Sequence, residues 1–375
     1  MPDVRVEQYD KWLRDDGPVA LVIRQWLVPA TQPDDIIFPP SYANPSEKKG
    51  DPPVYNIDGE GSESVCVLDS VPSQANRVEP IFGRKPYREL VPQIVIKFKD
   101  GLERSVLEIG HRIADAAFRG TELGSRIAEV LVKHRDGDST DLAKLAPTSL
   151  VFGAWDSRGT QVKIPRLVIS IVRAKDVVRR TRSAQYFPAI SYEREGLMPD
   201  DLDGKPSESG LAEAPAVGKI GGVHVRGTIT RDASLNLVAL RAIRGGSEEQ
   251  TLKLRRYILG LCVVALAAEP ELDLRQGCLL TLDPGRSPSV EIVYRDGKRE
   301  KLCVAAHDAL DFATAVARQF GVGSDLTVDF NVKTLSKALA STKAAKKKRD
   351  GKMAPASDAT PAEDGATDSE DGASA

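Results

Sequence analysis

The sequence is poor in the residues that build disulfide-stapled, metal-bound or membrane-bound folds. Four cysteines, Cys66, Cys262, Cys278 and Cys303, are spread over 375 residues with no C-x-x-C pair. That spacing argues against a zinc cluster and a disulfide framework, so buried thiols are expected. Only four histidines occur, and the adjacent His307-Asp308 lacks the further spaced ligands of a metal phosphohydrolase. No metal and no cofactor is expected. The longest uncharged apolar run, 258–268, is about half of the roughly 20 residues a membrane-crossing helix needs. The first fourteen residues are charged throughout and lack the apolar stretch of a secretory signal. A cytoplasmic protein with no membrane partner is the expectation. The phosphate-loop, dinucleotide-fold, zincin and nucleophile-elbow motifs are all missing, which lowers the odds for the enzyme classes built on them.

What is present is an ordinary globular composition, 41% hydrophobic and 28% charged, long enough for one elaborate domain or two simpler ones. The net charge of -2 conceals a segregation. From Asp350 onward seven acids face one base, a net of -6, which leaves the rest of the chain at +4. Within 158–186, eight cations face only Asp176, a net of +7. Such a field attracts polyanions, although a charge run is also what a solvated face looks like. Residues 341–375, basic and then acidic, read as a disordered tail. One domain is expected over 1–340, with loop-rich insertions near 29–61 and 199–222.

Strand-length apolar or β-branched runs occur at 19–28, 94–98, 149–154, 167–173, 223–230, 235–243, 278–282 and 290–294. The Asp232–Asn236 region reads as a hairpin turn, as does Asp296-Gly297. Capping-box spacings Ser105/Glu108 and Ser247/Gln250 predict helices from 105 and 247, and 309–320 reads as a third. In the second, Leu254, Ile258, Leu261, Cys262 and Ala265 recur at helical spacing, so that face should be buried. Strands interspersed with a few helices favour an α+β sheet with insertions.

Three polar strings suit a phosphodiester backbone. The first is DSVPSQANR, 69–77, read as a strand-to-loop exit, in which Ser70, Ser73, Gln74, Asn76 and Arg77 are hydrogen-bond donors. The same residue types also cap their own turns. The second is HRIADAAFR, 111–119, within the helix predicted from 105. At helical spacing Asp115 reaches both Arg112 and Arg119, which gives either a salt-bridged exposed face or an arginine pair aimed at phosphates. The third runs over 147–174, where Trp155, Arg158, Lys163 and Arg166 place an aromatic among cations, a combination that stacks bases and follows a single strand. Trp155 is equally readable as a core anchor.

In succession, "DSVPSQANR", "HRIADAAFR", "SLVFGAWDS" and "IPRLVISIVRA" resemble the RAMP-superfamily backbone subunit of the type I-G (formerly I-U) CRISPR effector complex, Cascade. The resemblance is best over 65–186. It implies an RNA-recognition-motif-like, ferredoxin-like palm with helical insertions and a β-hairpin thumb, for which 199–222 and the hairpin after it are candidates. It also implies a non-catalytic subunit that polymerises head to tail along a CRISPR RNA and presents the spacer to complementary target DNA. Its other partners would be further Cascade subunits and a separate helicase-nuclease. Carried onto the matching strings, RNA contact falls to Ser70, Ser73, Gln74, Asn76, Arg77, His111, Arg112, Arg119, Trp155, Ser157, Arg158, Lys163, Arg166 and Arg173, with Arg182 just beyond. Related type III subunits cut RNA with a loop aspartate, a role Asp69 would occupy. The enzyme alternative is an endoribonuclease that processes CRISPR RNA, with His111 as acid-base.

Overall fold

The structure, a computed structural model, describes residues 6–32, 34–44 and 54–340, so the expected tail at 341–375 and part of the 29–61 insertion lie outside the described residues. In chain order the elements begin with α1 (Asp10–Leu13), β1 (Ala20–Pro29), β2 (Ile36–Ile37), β3 (Ile57–Asp58), β4 (Val65–Asp69) and α2 (Val71–Val78). There follow β5 (Ile94–Lys97), β6 (Glu103–Ser105), α3 (Leu123–Arg135), α4 (Thr140–Leu145), α5 (Thr148–Phe152), β7 (Ala154–Trp155) and β8 (Lys163–Ile164). The second half holds β9 (Val168–Lys175), β10 (Val177–Tyr186), β11 (Ala214–Val225), β12 (Ile229–Asn236), α6 (Leu237–Ala242) and α7 (Glu248–Ala267). It closes with β13 (Asp273–Arg275), β14 (Cys278–Leu282), β15 (Ser289–Val293), β16 (Arg299–Lys301), α8 (Ala306–Phe320) and β17 (Leu326–Asp329).

The chain is α+β. Its main sheet runs β13-β14-β1-β12-β9-β4-β3, every pair antiparallel, as neighbouring strands of a ferredoxin-like sheet also are. On its other side β1 pairs with β14 through Leu27–Pro29 and with β15 through Ala20–Arg24, so one long strand serves two partners and the sheet curls there. Alternation along β1, β9 and β12 sends Leu21, Val168, Val172, Ala233 and Leu235 to one buried face. Helix α7 supplies the centre of the core. Ser247 caps it by accepting the Gln250 N–H, as the spacing predicts. The expected face, Leu254 through Ala265, is buried, and so are Leu259, Val263 and Val264 on the other sides. A helix apolar all round needs cover all round, and α8 provides it where Gly260 lets the two backbones approach. A Cβ there would stand 2.8 Å from Val316 Cγ2.

Strands β9 and β10 are one arm of a long ribbon, and β11 and β12 are the other. The ribbon bends where Asp176 adopts φ 51° and ion-pairs with Arg226 at 2.6 Å. Gly227 lies so close that a Cβ would be 2.5 Å from the Lys175 carbonyl oxygen. Below the bend the ribbon is part of the main sheet. Above it, β10 and β11 form a separate arm with β2, and from Arg179 onward every residue of β10 is exposed.

Several local expectations change in the structure. The run 223–230 is interrupted by the bend, and 232–236 lies within β12, because the reversal of the ribbon occurs over 187–213. The 199–222 insertion therefore ends as strand β11, and β10 precedes it. Residues 237–242 are helical: Asn236 accepts the Ala239 N–H as an N-cap, and the buried Leu237 and Leu240 stand at helical spacing. Residues 148–152 form a fully buried helix rather than a strand, since an apolar run without alternation carries no period to decide between the two. Strand β4 leads straight into α2, so 69–77 is no loop exit. The predicted helix from 105 begins with its capping box, then breaks into three short 3-10 turns, Val106–Glu108, Arg112–Ala114 and Ala116–Gly120. The other strand expectations and the Asp296-Gly297 turn hold. Cys66, Cys262 and Cys278 are buried as expected, whereas Cys303 is exposed. Among the described residues no helix is long and apolar enough to cross a membrane.

Truncating Leu261, which is fully buried in α7, to alanine is expected to cost roughly 2–5 kcal/mol in denaturant unfolding.

Candidate nucleic-acid interface

The two-residue strands β7 and β8 place Trp155 directly across from Lys163. Trp155 is 58% exposed, and the Lys163 ammonium lies 5.9 Å from its ring centroid. Trp155 is thus a surface aromatic. The loop joining the strands is built on Asp156. Its Oδ1 accepts the Gly159 N–H at 2.9 Å, and its Oδ2 accepts the Thr160 N–H at 2.6 Å and hydroxyl at 3.0 Å. Arg119 Nη2 completes the set at 2.5 Å. Burial by itself would raise the Asp156 pKa, but Thr160, Gly159 and Arg119 outweigh it and hold the carboxyl below its usual 3.8. The turn leaves Ser157 and Arg158 exposed at its tip, and Arg166 is exposed beyond β8. Among the described residues Arg158, Lys163 and Arg166 carry no ion pair to a carboxylate.

Beneath this hairpin lies a buried ion pair. Arg112 is 2% exposed, and its Nε stands 2.6 Å from Glu79 Oε2. Nη1 donates to the Gly153 carbonyl at 3.2 Å, Nη2 donates to Asn76 Oδ1 at 3.4 Å, and the guanidinium lies over the Phe152 ring. Arg112 takes φ 54°, a left-handed conformation costly for a non-glycine residue. The predicted helix is broken where Ile109 and Asp115 take extended backbone on either side of the inward-turned Arg112, and Asp115 caps the Ala117 N–H instead of bridging Arg112 and Arg119. Burial pushes the Glu79 carboxyl up to about 7 against the pull of Arg112, and lowers the pKa of Arg112 itself. Gly153 has φ 78°, and a Cβ on it would stand 2.9 Å from Arg166 Cγ, so Arg166 passes directly over the backbone that Arg112 holds. One point therefore joins all three strings: Asn76 from the first, Arg112 from the second, Gly153 and Arg166 from the third.

Other residues of the first string face inward. Asp69, buried, accepts from Gln74 Nε2 at 2.6 Å and from Arg77 Nε at 3.0 Å. Arg77 also donates to the Asp273 and Leu274 carbonyls, tying α2 to β13. Gln74 accepts from Ser170 at 2.7 Å and from Arg231 Nε at 3.2 Å, while Arg231 Nη1 reaches Gln25 at 2.7 Å. Arg231 is buried among neutral partners, and burial pushes its pKa down to about 10. Ser70 and Ser73 are half-buried on α2, and Asn76 and His111 are exposed. Among the described residues no group of three or more His, Cys, Asp or Glu could hold a metal ion.

Arg173 lies apart from the hairpin, on the open face of the main sheet. There it pairs with Asp232 at 3.1 Å, which also pairs with Arg24 at 2.6 Å, beside a cavity of about 610 Å³ edged by Trp26, Ile169 and Ile171. Arg182 is exposed on the arm, its guanidinium 5.8 Å from the Phe38 ring centroid, with Arg179 and Arg180 on the same strand. The apolar side chains Tyr186, Phe187, Ile190 and Leu197 are exposed where the arm ends. Sequence reasoning missed Glu79, Asp156 and Arg231. Asp156 stood within the quoted string with Gly159-Thr160 directly after Arg158, a recognisable carboxylate-capped turn. Glu79 and Arg231 had no local signal.

Residues 21–179 match the model of a family described as CRISPR-associated protein GSU0053 (Cas_GSU0053). The matched span runs from β1 into the arm and contains every candidate contact residue except Arg182. This similarity supports involvement in a CRISPR-Cas complex. No curated protein matches the chain.

Replacing Arg112 with alanine is expected to cost about 3–5 kcal/mol in denaturant unfolding, since it strands a buried carboxylate. The double replacement Glu79→Leu with Arg112→Met should recover most of that loss. For Asp156, whose folded pKa is depressed, the stabilising contribution is present above 3.8 and fades as pH falls through the folded value. Acid titration of stability should accordingly show the gap between the parent and Asp156→Asn closing at low pH.

Proposed function

We propose that this chain is the non-catalytic CRISPR RNA-binding backbone subunit of a type I-G Cascade. The observation that carries the reading is the exposed Trp155 set against Lys163, beside Arg158 and Arg166, which have no ion pair among the described residues. Aromatic faces stack any base, and unpaired guanidinium and ammonium groups neutralise phosphates without reading sequence. A guide strand must carry arbitrary spacers, so that indifference is the required property. The exposed basic strand β10 extends the same charge along the arm, as a thumb would need. Several copies arranged head to tail would track one CRISPR RNA, with complementary DNA pairing to the bases left free and a separate helicase-nuclease receiving it. Gln74, Arg77, Arg112 and Arg119 are engaged inside the protein, so their role in this reading is to position the contact surface.

Nuclease-treated protein is expected to retain a protected small RNA. Trp155→Ala should weaken rebinding of single-stranded RNA by about 1–3 kcal/mol. Lys163→Ala and Arg166→Ala should each lower the salt slope by about 0.7, with no dependence on spacer sequence. Normal rebinding by all three folded variants would place the RNA elsewhere. Cleavage of precursor RNA that is lost in His111→Ala would replace this reading with the endoribonuclease.

A further inference from the structure

We propose that the acidic run 350–371 of this chain docks on its own Trp155–Arg166 surface and there competes with single-stranded nucleic acid. The competition rests on the RNA-binding reading above, whereas the docking does not. Three observations carry it. The first is where the described chain leads: Thr334, Lys337 and Ala338, on its last helical turns, line one cavity of about 510 Å³ together with Arg119, Asp156 and Thr160. Asp156 and Thr160 are the two ends of the loop that holds Arg158 at its tip. The chain thus runs out beside the contact surface.

The second is reach. Asp350 follows Ala340 by ten residues. At no more than about 3.5 Å per residue the first acid extends up to about 35 Å and Asp371 up to about 110 Å, so the surface is within range of every one of the seven acids. The third is charge. Net -6 in the run faces Arg158, Lys163 and Arg166, which have no carboxylate partners among the described residues. Carboxylates satisfy guanidinium and ammonium groups through the same charge-assisted hydrogen bonds as phosphates. Covalent attachment makes the contest intramolecular, so a weak contact suffices against short or stray RNA, while a long guide held by several protomers would displace it. The intervening cations Lys343, Lys346, Lys347, Lys348 and Arg349 share the sign of the surface and cannot take this place.

The test uses the full-length chain and a full-length variant in which Asp350, Asp358, Glu363, Asp364, Asp368, Glu370 and Asp371 become Asn or Gln. Anisotropy of a labelled peptide of residues 350–375 is expected to show binding to the neutralised variant at about 50 mM salt and its loss at about 0.5 M. Adding Arg158→Ala, Lys163→Ala and Arg166→Ala to that variant should abolish the binding. In a second arm the neutralised variant should bind a short oligouridylate about tenfold more tightly than the parent at low salt, converging at high salt. No peptide binding, or equal binding by the triple-alanine variant, overturns the docking even if oligouridylate binds. Equal oligouridylate affinity of parent and neutralised chains overturns the competition. Peptide docking with no oligouridylate binding by either chain upholds the docking and overturns the RNA-binding reading.

Discussion

The buried pair of Arg112 and Glu79 is the contact on which the candidate interface depends. A guanidinium taken out of water needs a counter-charge and partners for its remaining N–H groups, and Asn76 and Glu79 from one segment and Gly153 from another supply them, both distant in the chain. Arg112 meets that requirement in a left-handed conformation, within the series of short turns that stands where one helix was expected. It also fixes the Gly153 backbone over which Arg166 passes and from which β7 departs with Trp155. The surface aromatic is held in place by an interior electrostatic demand.

The cations of this chain fall into two populations by the partners they find. Arg77, Arg112, Arg119 and Arg231 are spent inside, where each donates to carboxylates, carbonyls or amides that join separate elements. Arg158, Lys163 and Arg166 have no carboxylate partner among the described residues and remain hydrated. The difference follows from desolvation: a charge that is buried must be matched within the fold, and one left in water is available to a polyanion. Similarity to a CRISPR-associated family spans the solvent-facing cations and, among the buried ones, Arg77, Arg112 and Arg119, whereas Arg231 lies beyond the matched residues.

The bent ribbon of β9, β10, β11 and β12 links the core to this charge distribution. Its lower half is locked between β1 and β4 by side chains alternating into the core, while the Asp176–Arg226 pair marks the bend where the arm leaves that support. Beyond it, β10 has no apolar face to bury and carries its arginines outward.

The amino-acid pattern alone determined the α+β class, the capped helix α7, the strands β1, β9, β14 and β15, and the segment in which an excess of positive charge collects. These are local matters of period, capping and composition, and neighbouring residues suffice to specify them. The helical state of 148–152, the breakage of 105–119, the helix in place of a loop at 69–77 and the origin of the arm at β10 were decided by tertiary structure. In each case the deciding partner lies far along the chain, or the run lacks a period of its own. The same holds for function: composition assembled the candidate cations, but only the fold separated those whose charge is matched inside from those that face water, because burial is a property of the whole packed chain.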